Sequence, residues 1–284
     1  MMRLSLSLLA VLGLGLAAGP ELERARGLYN RTQFEQSLQV LGAVAVKDAQ
    51  VYALMGQDLF MQGDYKKATD AFEMAVAAEP ADAEFALWLG RAYGRRAETA
   101  NPFSAPGLAS KARQYFEKAV QLNPRYVEGL SDLFEYYMEA PGFLGGGLDK
   151  AEATAARIAQ LDPVEGHGVR ATLAEKRKQY GAAEDELRRA IVASPGEVDR
   201  FIDLARFLAR RGRIQEADES LERAERIAPD SPRLMFARAD LYVQQKRNLD
   251  TARSLLKRYL SSELTPDDPP RSDAAKLLAQ AQGS

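Results

Sequence analysis

The 284-residue sequence predicts an all-α chain built as a solenoid, and three observations carry that expectation. A pattern of apolar and small residues recurs about every 34 positions. Turn residues divide each copy in two, and a proline closes it. The commonest residues are Ala, Leu, Arg and Glu, which favour helices. One copy runs Tyr52, Gly56, Leu59, Gly63, Tyr65, Ala68, Phe72, Ala75 and Pro80, and another runs Phe201, Ala205, Leu208, Gly212, Ile214, Ala217, Leu221, Ala224 and Pro229. On either side of the glycine the apolar residues keep helical spacing, so each unit is two helices joined by a turn. A unit of this kind buries its apolar face only on its neighbours, which predicts one continuous array rather than separate domains.

Taken in order, the first eighteen residues stand apart. Met1 to Arg3 is a short basic start, Leu4 to Leu16 is apolar, and Ala17 and Ala18 are small. This is the layout of a signal peptide over residues 1–18, cleaved after Ala18, and the apolar run falls short of the roughly 20 residues a membrane-spanning helix needs. The expectation is an exported protein, periplasmic or extracellular, with no stable membrane span after cleavage. The absence of cysteine removes disulfides and any lipid-modified cysteine anchor, and suits an oxidising compartment.

Residues 19–284 then read as a single solenoid of about seven repeats. A degenerate first unit carries Ala25, Leu28, Phe34, Ser37 and Leu41, and the unit ending at Pro80 is the clearest. The interval from Pro80 to Pro124 is longer than the repeat, as is that from Pro124 to Pro163. The excess in both falls in the turn between the two helices of the unit, giving inserted turns at Gly94–Ser110 and Glu139–Asp149. A weak unit follows with Tyr180, Ala183, Leu187 and Pro195, then the clear copy closed by Pro229. A last unit carries Ala239, Tyr242, Ala252 and Leu256, and beyond Pro269-Pro270 a short helix forms a C-terminal cap.

The repeated pattern resembles the tetratricopeptide repeat. That resemblance implies a right-handed α-solenoid of stacked helix-turn-helix units that binds another protein. It also implies that the first helices of successive units line a concave groove. Its contact offsets fall on Gln57, Phe60 and Met61, on Arg91 and Arg95, and on Glu128, Ser131, Glu135 and Met138. For Arg91 two roles stay open, a ligand contact or an ion pair between repeats with Glu135 or Glu84. Trp88 is read as core between units. Co-chaperone members of the family grip a C-terminal carboxylate, but Ala53 and Gln57 stand at the corresponding places, so no such clamp is expected. The stretch from Leu89 to Glu152 is similar to exported bacterial tetratricopeptide proteins with glycine-rich additions. Stacking should bring the two insertions side by side on one rim, where Phe103, Leu108, Phe143 and Leu144 either fold over the groove edge or meet a partner.

Catalytic readings find little support in the residue types. His167 is the only histidine, and without cysteine it cannot build a histidine-based metal cluster. No motif places a nucleophile beside it, and a surface role is expected. The run from Gly142 to Gly147 precedes a helix, but Leu148, Asp149 and Lys150 follow where a phosphate loop needs Lys and Ser/Thr, so it reads as an inserted loop. Acidic pairs such as Glu184 with Asp185 and Glu222 with Glu225 read as solvated helix faces. A net charge of -2 offers no basic field for nucleic acid. The expected function is therefore non-catalytic binding of a peptide segment or partner domain in the groove and against the inserted rim, without cofactor or metal. The alternative is a scaffold or assembly factor of a cell-envelope complex.

Overall fold

In the computed structural model, residues 19–283 are described, so the signal-peptide reading of residues 1–18 lies outside the described residues. The described chain is helical throughout. Seven consecutive pairs are α1 (Pro20–Asn30) with α2 (Phe34–Gly42), α3 (Ala49–Met61) with α4 (Tyr65–Ala78), α5 (Ala83–Thr99) with α6 (Ala105–Leu122), α7 (Val127–Glu139) with α8 (Leu148–Leu161), α9 (Pro163–Lys176) with α10 (Tyr180–Ala193), α11 (Val198–Arg210) with α12 (Ile214–Ile227), and α13 (Pro232–Gln244) with α14 (Leu249–Ser261). The last helix is α15 (Arg271–Gly283).

Local chemistry sets the helix starts. Asp48, Asp64 and Asp82 each accept a hydrogen bond from a backbone N–H in the first turn of the helix that follows, and Asp162 does so before Pro163, which needs no donor partner. Each such cap stabilises its helix by about 1 kcal/mol. The turn inside a unit needs one left-handed residue, supplied by Gly63 (φ 80°) and Gly212 (φ 75°). Thr32, Lys178 and Lys246 adopt the same conformation in units whose sequence carries no glycine there.

Packing decides the curvature. The backbones of the first helices approach closely along the series α1, α3, α5, α7 and α9, and again along α11, α13 and α15, whereas those of the second helices of successive units stay apart. The side on which neighbours touch is the shorter one, so the first helices line the concave face of an α-solenoid. Within a unit the two helices meet closely because a side chain is missing: a Cβ on Gly56 would stand 2.6 Å from the Phe72 ring, and one on Gly90 would stand 2.6 Å from the Phe116 ring.

The first insertion differs from the expectation of a long turn. Gly94–Ser110 is mostly helix: α5 runs on to Thr99 and α6 starts at Ala105, making them 17 and 18 residues long against 13 and 14 for α3 and α4. Nothing between Arg95 and Thr99 breaks a helix, and the chain turns only at Asn101-Pro102, where the Asn101 carboxamide accepts from the N–H groups of Phe103 and Ser104 at 3.0 and 3.1 Å.

The series of touching inner helices is interrupted between α9 and α11. A depression of about 230 Å³ lies there, lined by Gly168 and Thr172 of α9 and by Arg200, Asp203 and Arg206 of α11. Arg200 reaches Glu165 at 3.4 Å and Arg210 reaches Glu175 at 2.8 Å across it. On the concave side α9 and α11 are thus bridged by partly exposed ion pairs, while apolar burial between these units runs through α10.

Asp58 of α3 is an unusual interior residue. It is fully buried, and neither its carboxyl oxygens nor the buried Ser37 hydroxyl completes a hydrogen bond. Burial lifts the Asp58 carboxyl from 3.8 to about 7, and the nearby Ser37 hydroxyl offsets only part of that. The folded state therefore keeps its proton over a pH range where the unfolded chain has released it. The contribution of Asp58 to stability is greatest below about pH 4 and is lost as pH rises towards 7, by about 4 kcal/mol for a shift of this size. Asp58→Asn should remove this dependence: the gain in melting temperature over the parent is expected to grow from pH 5 to pH 8, with amide protection in α1 to α3 following it. An equal gain at both pH values would show that Asp58 is ionised throughout.

Candidate binding groove

The concave face deepens at α3, α5 and α7 into a cavity of about 770 Å³. Its apolar wall comes from Phe60, Trp88 and Phe116, with Tyr136 and Leu144 beside them. Trp88 is only half-buried. Its ring stacks on Phe72 (centroids 5.8 Å apart, 15° between planes) and takes the edge of Phe60 at 5.5 Å. The opposite side is formed by Tyr29 of α1 and by Pro266 and Asp267 of the loop between α14 and α15, so both ends of the chain reach one cavity. That loop is held in place: Asp268 accepts from the Thr265 N–H at 2.8 Å, Tyr259 donates to the Pro269 carbonyl, and Arg271 donates to the Ser262 carbonyl at 2.8 Å.

Of the nine groove residues expected from sequence, six line this cavity: Phe60, Met61, Arg91, Arg95, Glu128 and Glu135. Gln57 instead donates to Glu84 at 3.5 Å, and Ser131 lines the neighbouring depression. Met138 does not belong to the groove. It is 6% exposed and packs in the core with Leu133 and Phe134, because helical twist turns that position inward by the end of α7.

Arg91 resolves as an ion pair between repeats, with partners other than those expected. Its guanidinium grips Asp132 through Nε and Nη2 and reaches Glu128 at 2.7 Å, and its Cζ lies 4.9 Å from the Trp88 ring centre. Burial works against the Arg91 charge, but the bonds and charges of Asp132 and Glu128 outweigh it and raise its pKa; burial raises Asp132, with Arg91 pulling it back. The two-point geometry marks an ionised pair. Arg95 pairs with Glu98 and donates to the Tyr65 hydroxyl at 3.1 Å. Glu135, one helical turn beyond Ser131, forms no ion pair among the described residues, and burial together with the Asp132 charge raises its pKa.

The second insertion is a tight loop. A 3₁₀ turn at Gly142–Leu144 packs on α6, and the following amides are consumed internally: Gly145 donates to the Gly142 carbonyl, Gly146 to Pro141 and Gly147 to Tyr137. These three glycine amides are therefore already engaged. Tyr136 donates to the Leu144 carbonyl at 2.9 Å and Lys150 to the Gly145 carbonyl at 2.9 Å. Leu144 is thereby aimed into the cavity, while Phe143 stays 82% exposed and Phe103, on the other insertion, 97% exposed. Leu108 lies elsewhere, half-buried against the core and facing a separate cleft beside Tyr65.

His167 sits on α9 with Nδ1 at 2.7 Å from Glu186, which also accepts from Arg170 and Arg189. Among the described residues no group of three or more His, Asp or Glu is placed to hold a metal ion. Also among them, no helix is long and apolar enough to cross a membrane. The acidic pairs extend beyond their own helices: Glu184 binds Arg188 and also Arg213, and Glu225 binds Arg238 of the next unit.

Sequence reasoning missed Trp88, Phe116 and Tyr136 as wall residues because aromatic residues at helical spacing read as core. Asp132 was within reach, four residues after Glu128 on the same helical face. Tyr29, Pro266 and Asp267 carry no local signal, since the curvature of the array brings them there.

Models of the tetratricopeptide repeat match residues 53–127 and 174–234. The chain belongs to the tetratricopeptide repeat family. Among solved structures it is similar to a tetratricopeptide repeat protein from Parabacteroides merdae, at 15% identity and a TM-score of 0.59, over 92% of this chain and 97% of that one. It also matches a thermophilic tetratricopeptide protein of Thermus thermophilus, at 24% identity and a TM-score of 0.44, over 83% of this chain and 100% of that one. No curated protein sequence matches the chain. At these identities the structural likeness speaks to the fold alone, and the fold of this tetratricopeptide protein points to a protein–protein interaction or scaffold role.

Gly146 tests how far the loop depends on its glycines. A Cβ there would fall 1.8 Å from the Ala140 carbonyl oxygen, a backbone atom that cannot step aside. Gly146→Ala is expected to open the loop at a local cost of about 1–3 kcal/mol, typical of overpacking. Amide protection at Leu144 to Gly147 should fall while the helices keep theirs; unchanged protection there would mean that the loop tolerates a side chain.

Proposed function

We propose that this protein is a non-catalytic receptor that holds a segment of a partner protein in the cavity at α3, α5 and α7. The observation that carries this reading is Trp88, a large ring left half-covered in a concave wall with Phe60, Phe116 and Leu144 around it. Concave, mostly apolar sites with a few fixed polar groups are where ligands bind, and aromatic anchors in such places dominate affinity. Phe103 and Phe143 on the insertion tips extend the contact to the body of the partner. We further propose that the protein acts outside the cytoplasm, on the sequence of residues 1–18; N-terminal sequencing of the native protein should read from Gly19, and an intact Met1 would count against export.

Trp88 is the only tryptophan, so its emission reports on the cavity. A partner recovered by cross-linking in the native cell should shift that emission to the blue, and Phe60→Ala and Leu144→Ala should each weaken binding by at least tenfold with helicity retained. Capture that is insensitive to both variants but lost with Phe103→Ser and Phe143→Ser would move the site to the rim and favour a scaffold. Arg91→Glu is a poor probe, because it leaves Asp132 and Glu128 facing a third carboxylate and loosens the α5–α7 contact.

A further inference from the structure

The charges around the cavity are not balanced. Its lining holds six carboxylates, from Glu98, Glu128, Asp132, Glu135, Glu139 and Asp267, against the guanidinium groups of Arg91 and Arg95. Both guanidiniums are already engaged, Arg91 by Asp132 and Glu128 and Arg95 by Glu98. Glu139 is paired with Lys176 at 3.2 Å. Glu135 and Asp267 form no ion pair among the described residues, and they come from distant parts of the chain. Glu135 stands on α7, and Asp267 on the anchored loop after α14, whose charge reaches Tyr29 on the same cavity.

We propose that the segment this groove accepts is basic: an arginine or lysine side chain received by Glu135 and Asp267, next to a bulky apolar side chain lying on Trp88 and Leu144. This rests on the groove reading above and adds the chemistry of the occupant. An acidic segment would meet an excess of like charge with no free cation to receive it. A neutral apolar segment would strip water from Glu135 without replacing its lost hydrogen bonds, which is costly for a carboxylate. A cation removes both penalties. It also suits Glu135 in particular, because a carboxylate that stays exposed yet is partly desolvated by the groove walls and faces the Asp132 charge gains from a positive neighbour. The apolar half of the motif follows from the wall, since Trp88 and Leu144 present area that water solvates poorly.

The test is a selection of randomised twelve-residue displayed peptides on the purified full chain, repeated on the double variant Glu135→Gln, Asp267→Asn. Both changed side chains lie at the surface, so the fold should persist, and melting curves check it. The parent should enrich Arg or Lys beside Phe, Leu, Met or Trp, in peptides that shift Trp88 emission and bind at least tenfold more weakly in 500 mM than in 50 mM salt. The double variant should bind a synthetic version of the best peptide at least tenfold more weakly. Changing that peptide's basic residue to Gln should cost as much on the parent and almost nothing on the variant. If the enriched peptides shift Trp88 emission but are neutral or acidic, or bind the double variant as tightly as the parent, the cation inference is wrong and the groove stands. If no enriched peptide changes Trp88 emission, the groove reading falls and this inference falls with it.

Discussion

The rest of the molecule depends on one constraint: ring carbons occupy the space where Gly56 and Gly90 have no side chain. The Phe72 ring lies against Gly56 and the Phe116 ring against Gly90, so in these two units the second helix settles directly on the backbone of the first. That close approach sets the pitch of the array. It also builds the groove. Phe72, once seated, offers its other face to Trp88 of the next unit, and Phe116 reaches through to the cavity wall. A bulky residue at either glycine would push a pair of helices apart and displace the aromatic wall with them, so packing inside a repeat and the shape of its concave face have one physical origin.

Much of the architecture was legible because it is local and periodic. Ala68, Ala75, Ala112, Ala119, Ala217 and Ala224 recur where helices cross, and all are fully buried. The capping aspartates before α3, α4, α5 and α9 are short-range signals of the same kind. The groove was legible in part, since family offsets place residues on the correct face of α3, α5 and α7 until drift along α7 carries Met138 into the core. Two kinds of feature stayed hidden. Gly94–Ser110 looked like a loop because it interrupts the repeat, although residues 95–99 have no reason to leave a helix. Tyr29 and Asp267 meet one cavity only because small rotations add up over the units between them, and no local pattern encodes that sum.

Charge is distributed along the array with a different logic from apolar burial. Between α5 and α7 the ion pair of Arg91 with Asp132 adds to an apolar seam that already exists, and so fixes register more than it holds the helices together. Between α9 and α11 ion pairs stand in place of the seam. There Gly168 and Thr172 face Arg200 and Arg206, with Phe134, Val169 and Leu187 at the edge of the gap. The apolar core passes this point through α10: the largest cluster ends on Val169 and Leu173 of α9, and the next joins Ala171 and Ala174 of the same helix, with Leu187 and Ile191 of α10, to Phe201 and Leu204 of α11.

This joint bears on the groove although it lies outside it. The wall formed by Phe60, Trp88, Phe116 and Leu144 belongs to units before the joint, whereas Pro266 and Asp267 belong to the part after it. Each unit in a solenoid contacts only its neighbours, so a change of angle between α9 and α11 carries everything beyond it as a body. A few degrees there translate, over the distance to the last loop, into a displacement of Asp267 relative to Glu135 that no contact inside the first units opposes. The aromatic wall is placed by the close packing at Gly56 and Gly90, and the position of Asp267 opposite it by the stacking of all the units between. An occupant that bridges Glu135 and Asp267 would therefore also tie the two parts of the array together, adding across the cavity to the ion pairs that join α9 to α11.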